Sequence, residues 1–307
     1  MIETYPQALP HGITLSCRSA GARGRPALMF LHGFPEAAFV WDELLLHFSR
    51  PENGGFRCIA PNLRGFGGSS SPPQPEAYRP RQLVQDIAAL IEAEGAPLEC
   101  LVAHDWGGAV AWNLANQRPQ LLRRLAIVNS PHPGTFLREL QHNPRQQQAS
   151  AYMNFLVRPD AERLLAEDGY RRLWQFFTAG REPAWLTPEL KRRYEQVWDG
   201  PAGGPPGAGL AGGCNYYRAS PLRPATPQDA AAAAVQLPPE MLTVALPTLV
   251  LWGLEDVALL PELVEGLEAY VPRLTLERVA GASHWIVHEQ PQFVAQRLQA
   301  FLQRPLQ

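Results

Sequence analysis

Apolar residues in this chain gather into short unbroken runs bounded by turn residues: 26–32 (PALMFLH), 57–61 (RCIAP), 98–104 (LECLVAH), 124–129 (RLAIVN) and 247–253 (PTLVLWG). Runs of this length without polar alternation suit strands covered on both faces. Between them the period changes: Leu83, Val84, Ile87, Leu90 and Ile91, within 81–94, recur at spacings of three and four, the mark of one buried helix face. Strands alternating with such helices predict an α/β fold built on a mostly parallel sheet flanked by helices. From about 131 to 224 the rhythm breaks. Strand-like runs vanish, Tyr, Trp, Arg and Gln appear in helical patches, and a Gly/Pro-rich stretch at 200–213 reads as a loop. This segment is expected to be a helical insertion, leaving 1–130 and 225–307 as one core. After the alanine run Ala230–Ala234, expected to be an ordinary helix, the sheet pattern resumes near Leu246.

Composition narrows the function. With 307 residues, 46% hydrophobic and 18% charged, the chain can bury a large core, and readings as a disordered, collagenous or disulfide-stapled protein fail. Lys and Arg number 27 against 29 Asp and Glu, so no basic field exists to attract nucleic acid or an anionic membrane. The four cysteines are scattered without a CxxC pair, and MIETYPQALPHG lacks the basic and apolar regions of a signal peptide. A reduced, cytoplasmic protein is expected, and a homodimer is compatible with the chain. No metal cluster, phosphate loop or heptad is evident, and no cofactor is expected.

The chemistry concentrates at 101–111, LVAHDWGGAVA: a buried strand, then Asp105, then a helix start made of small residues. This is the pattern of a nucleophile elbow, a tight strand-to-helix turn that lifts one side chain above the carboxyl end of the sheet. Relative to G-x-S-x-G, Asp105 replaces the serine and Ala103 the first glycine. A carboxylate can displace a leaving group from saturated carbon and become an ester, where a serine alkoxide suits acyl carbon. The alternative for Asp105 is an ordinary cap on a helix starting at Gly107. Two further groups follow in the order nucleophile, acid, histidine. The loop after 247–253 carries Glu255 and Asp256, and 278–285 (RVAGASHW) delivers His284. His284 is the expected base and Asp256 its orienting acid, with Glu255 the other candidate. Asn129, ending the preceding strand, is the other place an acid could sit, and as an amide it carries no charge. Hydrolysis of an ester needs an oxyanion hole, for which the backbone amides of Phe34 and Trp106 stand at the expected positions. Pro35 is a candidate cis proline, and His32 and His104 are expected to make structural hydrogen bonds.

These segments, His32-Gly33-Phe34-Pro35-Glu36, Asn62-Leu63-Arg64-Gly65-Phe66-Gly67, His104-Asp105-Trp106-Gly107-Gly108, Trp252-Gly253 with Asp256, and His284-Trp285, resemble over essentially the whole chain the epoxide hydrolases of the α/β-hydrolase superfamily. The resemblance implies an α/β-hydrolase fold in which 131–224 is a helical lid domain. It also implies conversion of a small apolar epoxide to a vicinal diol through an ester on Asp105, a detoxifying reaction. In that family two lid tyrosines hold and protonate the epoxide oxygen. Tyr152 and Tyr217 resemble them, with Tyr216 competing for the second role. Haloalkane and haloacid dehalogenases share the Asp nucleophile and are the rival reading. They aim N–H donors at a departing halide; Phe34 offers no such side chain, but Trp174 and Trp185 lie in the insertion. Fluoroacetate dehalogenases favour Arg after the nucleophile, where this chain has Trp106. A non-catalytic ligand-binding relative is the third reading, and such proteins usually lack a triad member.

Overall fold

The computed structural model describes residues 1–306 other than 179 and 228. Chain order runs β1 (Glu3–Ala8), β2 (Thr14–Ala20), β3 (Ala27–Leu31), α1 (Asp42–Ser49), β4 (Arg57–Pro61), α2 (Pro80–Glu94), β5 (Cys100–His104), α3 (Asp105–Gln117) and β6 (Leu125–Val128). Six helices follow, α4 (Pro133–His142), α5 (Pro144–Ala149), α6 (Tyr152–Leu156), α7 (Ala161–Thr178), α8 (Pro188–Asp199) and α9 (Ala211–Ala219). The chain then re-enters the sheet as β7 (Thr248–Gly253) and β8 (Leu274–Val279) and ends in α10 (Ile286–Glu289) and α11 (Pro291–Leu302).

One eight-stranded sheet, in the order β1-β2-β4-β3-β5-β6-β7-β8, organises everything. From β4 to β8 all neighbours are parallel, and β3, β4, β5, β6 and β7 are buried along their whole length, as their unbroken apolar runs require. The antiparallel hairpin β1–β2 is an addition at one edge that the apolar runs did not announce. β1 mixes exposed and half-buried residues and β2 alternates half-buried and buried ones, and β1 carries Pro6, which an edge strand tolerates. Helices α2 and α3 pack on each other, as do α1 and α11. This arrangement matters for function because six parallel strands release their loops at the same carboxyl edge.

Among the described residues no strand lies between β6 and β7; the interval 131–224 contains helices α4 to α9. Two expectations in and beside it need correction. The 200–213 stretch is a loop only in part, since α9 begins at Ala211. Its Gly212 is demanded by packing, because a Cβ there would lie 2.3 Å from the Gly65 Cα. The Ala230–Ala234 run forms a single 3₁₀ segment. Five alanines followed closely by Pro238 and Pro239 are too few to carry the cost of nucleating an α-helix. Within α7 the helix breaks at Glu167–Tyr170, where Asp168, Gly169 and Tyr170 all adopt left-handed φ. Arg171 pairs with Asp168, and the Tyr170 hydroxyl donates to Asp199.

Candidate active site

Each group of interest stands just beyond the end of a parallel strand: Phe34 after β3, Asp105 after β5, Asn129 after β6, Asp256 after β7 and His284 after β8. At the elbow the backbone turns so sharply that Asp105 takes φ 48, a left-handed value uncommon outside glycine. The turn leaves no room beside it. A Cβ on Gly107 would meet the Leu31 and His32 carbonyl oxygens at 2.6 Å. Helix α3 begins at Asp105, two residues before the expected start, and its N-terminus has no side-chain cap. Instead of capping α3, Asp105 Oδ1 accepts the Phe34 backbone N–H at 2.7 Å. The Phe34–Pro35 peptide bond is cis.

Asp105 Oδ2 faces His284 Nε2 at 3.8 Å, and on the other side of the ring His284 Nδ1 donates to Asp256 Oδ2 at 2.7 Å. Asp256 is buried, yet each of its oxygens accepts two hydrogen bonds. Oδ1 takes the Ala258 and Leu259 amides at 2.9 Å, while Oδ2 takes Asn129 Nδ2 at 2.9 Å besides His284. Burial pushes the Asp256 carboxyl up, but the His284 charge and these donors outweigh it and hold the group below its usual range. Burial likewise disfavours charge on His284. The Asp256 carboxylate, its hydrogen bond and the Asp105 carboxylate win, and the imidazole rises to about 9. Glu255 is exposed, so Asp256 is the acid that meets the histidine. Asn129, noted in the sequence as an uncharged stand-in, ties two segments together, since its Oδ1 accepts the Gly253 amide at 2.9 Å while its Nδ2 holds Asp256.

His104, expected to make structural hydrogen bonds, belongs to a second buried cluster whose other members the sequence did not bring together. Glu36 lies behind the histidine, with Oε2 3.1 Å from His104 Nδ1 and Oε1 2.7 Å from His288 Nε2 and 2.9 Å from the Tyr194 hydroxyl. His104 Nε2 reaches the backbone oxygen of His284 at 2.9 Å. Both ring nitrogens of His104 therefore face acceptors, the Glu36 carboxylate on one side and the His284 carbonyl on the other. Burial alone would raise the Glu36 carboxyl; the hydrogen bonds from His104 and His288 overcome it and hold the group well below its usual range. His32 is simpler. Its Nδ1 donates to the Gly33 carbonyl at 2.9 Å and its Nε2 accepts the Leu63 amide at 3.0 Å, a neutral tautomer that burial enforces by lowering its pKa to about 4.

Above Asp105 stand Tyr152, at the start of α6, and Tyr217, on α9, with ring centroids 6.1 Å apart. Tyr217 also meets Phe34 and Trp106 edge-on at 5.4 and 5.0 Å. Burial, then the nearby negative charges, raise both phenols, so each keeps its proton at neutral pH. Tyr216 is committed elsewhere, its hydroxyl donating to the Arg64 carbonyl at 3.0 Å. Trp106 follows Asp105 in the first turn of α3, its indole beside the Tyr217 hydroxyl. Trp174 packs at a tilt against Trp198 and Phe177, and Trp185 lies flat on His288 at 4.4 Å. Neither lines the two chambers, about 390 and 750 Å³, that open onto Asp105. Among the described residues no helix is long and apolar enough to cross a membrane.

The fold and this geometry can be set beside known proteins. A family model described as the alpha/beta hydrolase fold matches residues 26–291. The AB hydrolase superfamily protein YfhM of Bacillus subtilis is 35% identical over 293 residues, 95% of each chain. Epoxide hydrolase 4 of Mus musculus is 32% identical across 97% of this chain and 79% of its own length. Among solved structures, an epoxide hydrolase from hot-environment metagenomes superposes with a TM-score of 0.85 at 36% identity, covering 98% of this chain and 99% of that one. The Bacillus megaterium epoxide hydrolase, solved with an inhibitor, gives 0.85 at 31% identity over 98% and 100%. The chain therefore belongs to the α/β-hydrolase fold family and, within it, to the epoxide hydrolases.

Proposed function

We propose that this hydrolase turns an epoxide and water into a vicinal diol by way of an ester on Asp105, with residues 131–224 acting as its lid. The observation that carries the reading is the division of labour between the two Asp105 oxygens. Oδ1 is already held by the Phe34 amide, which leaves Oδ2 free to attack an oxirane carbon. As the carbon–oxygen bond of the ring breaks, the departing alkoxide needs a proton, and the Tyr152 and Tyr217 phenols, both still protonated, stand in the same cavity. Oδ1 then becomes the ester carbonyl, already in its oxyanion hole, with the Trp106 amide as the second donor.

Esterification also cancels the Asp105 charge that helps His284 keep its proton. That proton passes to solvent, to be retaken when the Asp105 carboxylate returns; the neutral imidazole then takes a proton from water, and the resulting hydroxide adds to the ester carbon. Collapse breaks the bond from that carbon to Oδ2, and His284 returns its proton to the leaving diol oxygen. The remaining proton of the water leaves as Asp105 becomes a carboxylate again and replaces the one the tyrosines gave. Asp256 stays ionised throughout.

For the dehalogenase alternative, the Trp106 indole would have to face a halide, but it sits beside the Tyr217 hydroxyl. The test is a single turnover of styrene oxide in heavy-oxygen water with enzyme in excess. The ester route delivers an unlabelled diol and a labelled Asp105 peptide; a fully labelled diol with a light Asp105 overturns it. A bromoalkane run in parallel reads halide release, and halide exceeding diol would favour the dehalogenase.

A further inference from the structure

Tyr216 takes no part in the proposed reaction, yet it is as deeply buried as Tyr217 beside it. Burial raises its phenol well above the ordinary value, so the hydroxyl keeps its proton and serves as a donor to the Arg64 carbonyl at 3.0 Å. That acceptor is itself firmly held. The Arg64 guanidinium donates twice to Asp86 of α2, at 2.5 and 2.7 Å, and once to the Ala77 carbonyl at 2.7 Å. Two further ties join α9 to the same 62–78 stretch: Asn215 Nδ2 donates to the Pro73 carbonyl at 3.3 Å, and Gly212 meets Gly65 backbone to backbone. Tyr217 is seated differently. Its ring rests edge-on against Phe34 and Trp106, and aromatic pairs of this kind pack over centroid separations from about 4.5 to 7 Å, so ring contact alone does not fix where the hydroxyl stands. The Trp106 indole beside that hydroxyl is in turn backed by the Tyr216 ring, 5.5 Å away.

We propose that Tyr216 is a positioning residue for ring opening: its hydrogen bond to the Arg64 carbonyl sets the roll and depth of α9, and so fixes where Tyr217 presents its proton to the epoxide oxygen. This role rests on the epoxide-hydrolase reading given above. Successive residues on a helix share one rigid backbone about 100° apart, so any roll that frees the Tyr216 hydroxyl displaces the Tyr217 hydroxyl with it. A misplacement of about 1 Å in a reacting group can cost about a hundredfold in rate, and a fraction of that displacement is enough to be read. A side chain that merely filled space would lower stability and leave the chemical step alone.

The test follows the first step by itself, in a His284→Gln background in which the ester forms and does not turn over. Adduct on Asp105 is timed by quenched-flow mass spectrometry at saturating styrene oxide. Tyr216→Phe keeps the ring, removes the hydroxyl and should slow adduct formation about tenfold. In a Tyr217→Phe background the same change should alter the rate by less than about twofold, because no proton is left to aim. Asn215→Ala, which cuts the Pro73 tie, should slow the step about threefold and lose its effect in the same way. Undiminished slowing by Tyr216→Phe when the Tyr217 hydroxyl is already gone, or no slowing when it is present, overturns the proposal. If Tyr216→Phe does not fold, Asn215→Ala decides by the same two criteria. A parent protein that gains no adduct strikes the epoxide-hydrolase reading, and an unslowed Tyr217→Phe strikes Tyr217 from it; the proposal then falls with its premise, whereas a failure confined to Tyr216→Phe leaves that reading standing.

Discussion

Replacing Asp105 by Asn isolates the electrostatic switch in the proposed reaction, because the amide has the shape of the carboxylate and the neutrality of the ester. His284 Nε2 lies 3.8 Å from Asp105 Oδ2, and the imidazole is held at about 9 with both flanking carboxylates charged. A unit charge at that distance is worth about 4 kcal/mol at an effective dielectric of 20 and about 1 kcal/mol in bulk water. At 1.36 kcal/mol per unit, Asp105→Asn should lower the His284 pKa by about one to three units, enough to make it a base near neutrality. The measurement is an NMR titration of the imidazole carbon-bound proton, assigned by its absence in His284→Gln. The value should fall in Asp105→Asn while the Asp256 contact keeps it from dropping to that of a buried, unpaired histidine. A pKa within about half a unit of wild type would refute the argument that ester formation itself converts His284 from acid to base.

Other outcomes follow from the same geometry. His284→Gln should alkylate but not turn over, so intact-protein mass spectrometry should find the enzyme heavier by one epoxide, with the adduct on Asp105; unmodified protein at saturating epoxide would count against the ester. Tyr152→Phe and Tyr217→Phe should each slow ring opening by about ten- to a thousandfold, with urea midpoints little changed; a single change without effect would remove that tyrosine from the mechanism. Glu36→Ala strands His104, His288 and Tyr194 without their buried acceptor and should cost about 3–5 kcal/mol in denaturant unfolding, and a loss below about 1 kcal/mol would mean the cluster relaxes freely. His284 binds its proton more tightly folded than unfolded, so its contribution to stability is complete below about 6.5 and fades as pH rises through about 9. The stability gap between wild type and His284→Gln should close over that window, and a gap that widened would reverse the assigned sign.

What could be read from the sequence was what is local. The elbow announces itself because an apolar strand, an acid and a small-residue helix start are contiguous at 101–111, and the parallel strands appear as unbroken apolar runs. Position along the chain also ordered Asp105, Asp256 and His284. His104 was expected to make structural hydrogen bonds, but the Glu36 cluster as a unit was illegible because its members, at 36, 104, 194 and 288, come from four separate segments. Tyr216 and Tyr217 are neighbours on α9 about 100° apart, so only the packing of that helix against Gly65 shows which hydroxyl Arg64 takes. The β1–β2 hairpin lacked a signal because an edge strand has no need of a continuous apolar run.

The buried knot around Glu36 has a consequence for traffic through the enzyme. Tyr194 and Trp198, both on α8, are tied to Glu36 and to the Pro35 carbonyl, and the Trp285 indole is tied to the Phe176 carbonyl of α7. Those three attachments fall on the same two segments that carry the Phe34 amide and His284. Lifting α7 and α8 away would strip the oxyanion donor and the base from their positions and uncover an ionised carboxylate. These ties argue for a site reached through the two chambers without lifting α7 and α8. Exposed Met241 lines one chamber and exposed Val257 the other, so added bulk at either is expected to narrow access to Asp105 without touching Asp256 or His284.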